Sequence, residues 1–225
     1  MKETLTPALP CPCPGLDVLY ADRDCVVLLK PSGIHSVPGV GEDKQDSILT
    51  RLQAFDPSIH AVHRLDRDTS GVMVFGRHKE AISHLGKQFQ ARTVDKRYTA
   101  LVAGILQDDA GEIELAMRYA PEIKPRQVVD LQLGKPARTL WQVIQRFSTT
   151  TLVALEPYTG RTHQLRVHLQ AIGHPILGDS LYAPENWQQA SPRLCLHANE
   201  LAFDHPGTGQ RMRYLSAENF SSILS

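Results

Sequence analysis

The stretch H-R-L-D-R-D-T-S-G, His63 to Gly71, gathers two arginines, two aspartates and a turn-forming Thr-Ser-Gly in one short run. On an extended strand Arg64 and Asp66 project from one face, while His63 and Leu65 face the other way. Thr69, Ser70 and Gly71 can then build a hydrogen-bonded turn that aims the carboxylate. Two chemistries fit this pattern. One is a structural Arg–Asp pair, since a buried charge is costly without a partner. The other is a carboxylate held ready for catalysis.

A second stretch, T-G-R-T-H-Q-L-R-V-H at 159–168, carries a further cluster. It predicts a helix over Thr162–Gly173, capped by Thr162, ended by Gly173 and barred from continuing by Pro175. His163, Arg166 and Gln170 make a polar stripe at i, i+3 and i+7, and Leu165, Leu169 and Ile172 an apolar one. Arg166 can therefore offer a guanidinium to a buried anion, either Asp66 or a phosphate. A solvent-facing stripe is the alternative.

Other site chemistries fit less well. His163 and His168 are five apart and point in different directions around a helix, unlike the two histidines of a helical zinc motif. No metal site is expected there. Cys195 and His197 share a strand face, but residues two apart are about 6–7 Å apart at the backbone. A thiolate–imidazole pair needs direct contact, so a buried thiol beside a satisfied histidine is expected. Cys11 and Cys13 form a C-x-C with no second ligand cluster nearby. The loop G-I-H-S-V-P-G-V-G-E-D-K-Q lacks the spacing of a phosphate-binding P-loop.

The elements that must position these residues can be read from pattern. The chain has 225 residues, enough for a sizeable core, with 24 basic and 24 acidic residues and no net charge. Nothing is apolar enough to span a bilayer, and the first residues lack the apolar core of an export signal. A cytoplasmic location follows. The four cysteines are too few for a disulfide framework. Residues 1–16 read as a flexible Pro-rich tail and 17–225 as one domain. Strand-turn-strand is expected over Leu16–Gly33, then a short helix from Asp46 with Ile48, Leu52 and Phe55 on one face. A-V-H-R-L and G-V-M-V-F-G read as strands joined by the Asp66 turn. His78–Arg92 reads as a helix with Ile82, Leu85 and Phe89 inward. The remaining runs, through K-R-Y-T-A-L-V-A-G, G-E-I-E-L-A-M, A-R-T-L-W-Q-V-I-Q-R-F, T-T-T-L-V-A-L-E-P, R-L-C-L-H-A-N-E-L-A-F and Q-R-M-R-Y-L, are strand-like. Strands without β-α alternation predict an α+β fold with a mixed, largely antiparallel sheet flanked by a few helices and loops. Charge is uneven. Lys87, Arg92, Lys96 and Arg97 form one basic group, and Arg118, Lys124, Arg126, Lys135 and Arg138 a second. Acids collect at 22–24, 41–46 and 108–109.

Taken together, four motifs resemble the RluA-type pseudouridine synthases. H-R-L-D-R-D-T-S-G matches the family's H-R-L-D-x-x-T-S-G, whose catalytic aspartate falls on Asp66. K-R-Y-T-A-L-V matches the K-x-Y-x-A element with its active-site tyrosine, Tyr98. G-R-T-H-Q-L-R-V-H-L-Q-A-I-G-H-P-I-L-G-D-S-L-Y matches the long third motif, whose arginine is Arg166. R-L-C-L-H-A matches R-L-x-L-H-A and places an apolar pocket residue near Leu196. The resemblance runs from about Asp17 to Phe203 and implies an active-site cleft across the sheet. It implies conversion of uridine to pseudouridine in RNA, in a 23S rRNA hairpin loop, a tRNA anticodon loop or both. It also implies no cofactor and a monomer without an obligate protein partner. On this reading Tyr98 stacks on the base and Arg166 favours the ionised carboxylate. Arg64 fills the place of the flipped nucleotide or holds its phosphate. No S4-like domain is expected ahead of the catalytic region. Two rivals remain: a glycosidase-like hydrolase using Asp68 as second carboxyl, and a non-catalytic RNA-binding module.

Overall fold

The computed structural model describes residues 15–218, 220 and 223. Most of the expected tail, with Cys11 and Cys13, lies outside them. The chain divides into two compact units. The first takes residues up to Asp95 and Glu200–Ser216, and the second Lys96–Asn199 and the C-terminal residues.

The first unit contains β1 (Asp17–Ala21), β2 (Cys25–Lys30), α1 (Ile48–Gln53), β3 (His60–Ala61), β4 (Ser70–Gly76) and α2 (Lys79–Ala91). The second contains β5 (Asp95–Ala103), β6 (Ala110–Glu114), β7 (Met117–Tyr119), β8 (Gln127–Val129), β9 (Arg138–Arg146), β10 (Thr150–Pro157), α3 (Gln164–Ala171) and α4 (Glu185–Gln189). The chain leaves it along β11 (Leu196–Asp204) and ends the first unit with β12 (Arg211–Leu215). The fold is α+β, as expected.

In the first unit the strand order is β1–β2–β4–β11, with β12 on β11 and β3 on β4. β1, β2 and β4 pair antiparallel, Lys30 standing opposite Gly71. β4 is buried along its whole length, so the apolar run Val72–Phe75 packs on both faces rather than alternating. Leu85 of α2 joins Val72, Val74, Leu201 and Phe203 in one core cluster. Burying a side chain of this kind is worth about 1.5–3 kcal/mol. Ser47 caps α1 through a capping box with Thr50, satisfying donors that a helix start leaves open. Ile48 and Leu52 are buried, whereas Phe55, expected inward, lies past the helix end and is exposed.

In the second unit the order is β5–β10–β9–β6, antiparallel at each register, and β7 and β8 make a separate ribbon. Sequence pattern missed β8 and α4, which are three and five residues long. Such short elements carry too few periods to register. α3 is capped by His163 rather than Thr162, with φ 56°. It is also not amphipathic: Gln164 through Leu169 are all buried. Of the expected polar stripe only Arg166 is buried, His163 being half-buried and Gln170 exposed, while Gln164 and His168 carry the interior polar contacts. Gln164 donates to the Arg138 carbonyl and the Thr139 hydroxyl and accepts from the Thr159 hydroxyl and the Arg161 N–H. His168 pairs with the Thr139 hydroxyl and the Leu115 carbonyl. The buried Gln164 and His168 side chains thereby have their partners.

Candidate active site

Asp66 and Arg64 belong to the first unit, and Tyr98, Arg166 and Leu196 to the second. The strand expected over Ala61–Leu65 is not formed, since β3 ends at Ala61 and an irregular loop runs to Thr69. The reason is a side chain that takes the place of a neighbouring strand. The Ser36 hydroxyl accepts the Leu65 N–H at 3.0 Å and donates to the Leu65 carbonyl at 2.7 Å. The loop is gripped further along. The Lys30 ammonium, 1 % exposed, donates to the carbonyls of Pro31, Ile34 and Arg67 at 2.8, 2.7 and 2.8 Å. Gly33 N–H donates to the Arg67 carbonyl, and the Ser32 hydroxyl to the Asp68 carbonyl. Thr69 N–H closes a turn on the Asp66 carbonyl.

Asp66 therefore sits half-buried on a turn whose backbone is held from both sides. Its neighbours differ in kind. Leu65 and Thr69 are buried, and Arg64 is exposed, with no hydrogen bond or ion pair among the described residues. Asp68 is engaged by the Arg67 guanidinium at 2.9 Å. His63 stacks on Phe89 and accepts the Val74 N–H. Lys30, Ser32 and Ser36 were not singled out from sequence. The signal available was a lysine ending a buried strand directly before Pro31.

In the second unit Tyr98 stands opposite Leu155 of β10 and packs, half-buried, on the cluster that includes buried Leu196. Arg166 forms a fork with Asp179, Nε to Oδ2 at 2.8 Å and Nη2 to Oδ1 at 2.6 Å. Of the anions weighed for Arg166, neither was Asp179, which the structure supplies. Asp179 Oδ1 also accepts the N–H groups of Leu181 and Tyr182, an Asx-type turn. Gly178 before it has φ 72°, and a Cβ there would fall 1.9 Å from the Arg193 carbonyl oxygen. The Tyr182 ring lies 5.1 Å from the Arg166 guanidinium carbon, and its hydroxyl bonds to His163 Nδ1 at 2.7 Å. A bidentate, buried arginine of this kind has one orientation.

Burial holds the His168 imidazole below its ordinary pKa, favouring the neutral ring. Both of its nitrogens are engaged, as described above. Cys195 is a buried thiol with its pKa raised by burial, its sulfur on the Ser191 hydroxyl at 3.2 Å. This matches the inert thiol expected. A grouping that spacing did not reveal is Asp22, Cys25 and His205, whose ligand-type atoms lie within 4.8 Å of one another. These groups serve the turn. Asp22 accepts from the Cys25 and Asp24 N–H groups, the Tyr20 hydroxyl and His205, and His205 Nδ1 accepts from Gly207 and Thr208. The Cys25 thiol is pushed up by burial.

Comparison with known proteins gives the same direction. Residues 24–171 match the family model of RNA pseudouridylate synthase. The chain belongs to the RluA-type RNA pseudouridine synthases. It is 45 % identical over 208 residues to the dual-specificity RNA pseudouridine synthase RluA of Pasteurella multocida, covering 92 % of this chain and 95 % of that one. Identity to the Escherichia coli K12 protein of the same description is 42 % over 208 residues, with the same coverage. Among solved structures, human RNA Pseudouridylate Synthase Domain Containing 1 superposes with a TM-score of 0.77 at 28 % identity, over 96 % of this chain and 89 % of that chain. The chain is thus an RNA pseudouridine synthase, an isomerase acting on RNA.

Proposed function

We propose that Asp66 is the carboxylate that carries the reaction and that the targets are a 23S rRNA hairpin loop and a tRNA anticodon loop. The observation that carries the assignment is the grip on its turn, through Lys30, Ser32, Gly33 and Ser36. A group that must meet a flipped nucleotide gains from a pre-set direction. The reaction breaks the N-glycosidic bond of uridine, turns the base and rejoins it to the sugar through C5. It is an isomerisation and calls for no external reductant or energy source. An ionised Asp66 attacks or stabilises the electron-poor centre. Tyr98 supplies the ring that stacks on the base and the hydroxyl that moves a proton. Arg166 keeps the carboxylate charge favoured, Arg64 fills the space left by the flipped nucleotide, and Leu196 lines the apolar side of the base pocket. The dual specificity ascribed to the relatives supports two classes of RNA target. The family match runs through the boundary at Asp95, which supports residues 17–225 acting as one catalytic domain. A cytoplasmic monomer without a protein partner completes the reading.

The test uses both RNAs transcribed with uridine tritiated at C5, because forming the new bond expels that hydrogen. Label release by the parent and its loss in Asp66→Asn, with Asp68→Asn within a few-fold of the parent, is the expected result. Equal losses from both variants would point instead to a carboxyl pair of the hydrolase type.

A further inference from the structure

The sequence places acidic residues at 41–46, yet this segment folds onto a basic cavity. Two arginines of the second basic group read from sequence are engaged elsewhere. Arg118 pairs with Asp130 and Glu122, and Arg138 with Glu112. By contrast, a cavity of about 470 Å³ in the first unit is lined by Pro31–His35, Lys44, Asp46, Arg51 and Arg67. Three cations face one carboxylate there. Asp46 is taken by Arg51 in a two-point contact at 2.8 and 2.7 Å. Lys44 is exposed and makes no ion pair among the described residues. The Arg67–Asp68 pair is exposed at the guanidinium, the kind of contact that contributes little and is readily exchanged. The field inside is visible in His35. Burial and then the charges of Arg67, Lys30, Lys44 and Arg64 hold its pKa below the ordinary value.

The cavity is also mechanically tied to Asp66. Its wall, Pro31 to His35, is clamped to the Asp66 turn by Lys30, Ser32 and Gly33, and Arg67 is the residue directly after Asp66. We propose that this cavity is a phosphodiester-binding subsite, with Lys44 and Arg67 as its ligands and His35 on its wall, that seats the RNA backbone beside the nucleotide presented to Asp66. A net positive cavity of this size suits a phosphate with its flanking sugar, and the compact charge of a phosphodiester matches guanidinium and ammonium donors. Seating a backbone phosphate on the same rigid turn that carries Asp66 sets the register of the strand, so the uridine enters at one spacing only. The inference rests on the assignment of Asp66 above.

The experiment measures Kd for an anticodon stem-loop RNA across a series of salt concentrations. Parent, Lys44→Ala, Arg67→Ala, Lys44→Arg and Arg67→Lys are compared, with single-turnover tritium release at saturating RNA beside each. Each alanine variant is expected to weaken binding about five- to tenfold at low salt and to lower the salt slope by about one. The charge-keeping variants restore both. The thermal midpoint of Lys44→Ala stays at that of the parent, which a general loss of fold would not allow. A single neutral methylphosphonate linkage next to the target uridine should weaken the parent and leave Lys44→Ala unchanged. Alanine variants with the parent's Kd and slope would overturn the subsite. A parent that binds RNA without releasing label would overturn the assignment of Asp66 instead, while the salt slopes still judge the cavity.

Discussion

Removing Asp179 tests whether Arg166 is held by burial and pairing. The two side chains are 3 % and 0 % exposed, so the fork has no solvent to fall back on. Asp179→Asn keeps the volume and one carbonyl-type acceptor, but it turns the other toward the guanidinium as an N–H₂ group. Breaking a buried ion pair by changing one partner costs about 3–5 kcal/mol. In a chain of this length that corresponds to a fall in Tm of roughly 6–20 °C. Replacing both partners, Arg166→Met with Asp179→Leu, removes the charge and its desolvation together. Stability should then return to within about 2 kcal/mol of the parent, while tritium release stays abolished. Thermal and urea unfolding give the first quantity and the release assay the second. An Asp179→Asn protein less than about 1 kcal/mol below the parent would refute the pairing argument. A double variant that folds well and still turns over would refute the role given to Arg166.

Lys30→Met takes the ammonium donor from three carbonyls, leaving that of Arg67 with the Gly33 N–H, and a cost of about 2–3 kcal/mol is expected from the shift in urea midpoint. Turnover should fall with it, because the Arg67 carbonyl belongs to the Asp66 turn; a variant with unchanged midpoint and rate would contradict the clamp. Gly178→Ala places a methyl against the Arg193 carbonyl in a backbone region hostile to side chains, so about 4 kcal/mol or failure to fold is expected in expression and unfolding assays. His168 is held neutral by burial, so the unfolded chain takes up more protons below the ordinary histidine pKa of about 6.5. Its contribution is present above that pH and is lost as pH falls through it toward the lower folded pKa, with a slope of up to about 1.4 kcal/mol per pH unit. Unfolding free energies of parent and His168→Gln between pH 7 and 5 should therefore converge on acidification; parallel profiles would disprove it.

The sequence by itself determined the reaction class and most of the strands. The four motifs carry residue types whose chemistry is local to them, and β2, β4, β5, β9 and β10 are long enough for apolar pattern to show. The positions of Asp66 and Arg166 within those motifs were legible for the same reason. Their partners were not. Ser36 lies 29 residues from Leu65, Lys30 lies 37 from Arg67, and Asp179 lies 13 from Arg166. None of these separations is a helical or strand repeat, so no period in the chain announces them. The segment 61–65 alternates like a strand, but a strand needs a neighbour with open donors, and the Ser36 hydroxyl takes those of Leu65. α3 reads as two-faced, yet Gln164 through Leu169 are all buried because Gln164, Arg166 and His168 find acceptors and donors on β9 and in the loops around it. The charge at 41–46 reads as acidic until Arg51 occupies Asp46 and folding turns Lys44 toward the loop that holds Asp66. Local pattern reports what a residue can do; which charge meets which is settled only when distant segments pack and every buried polar group must find a partner.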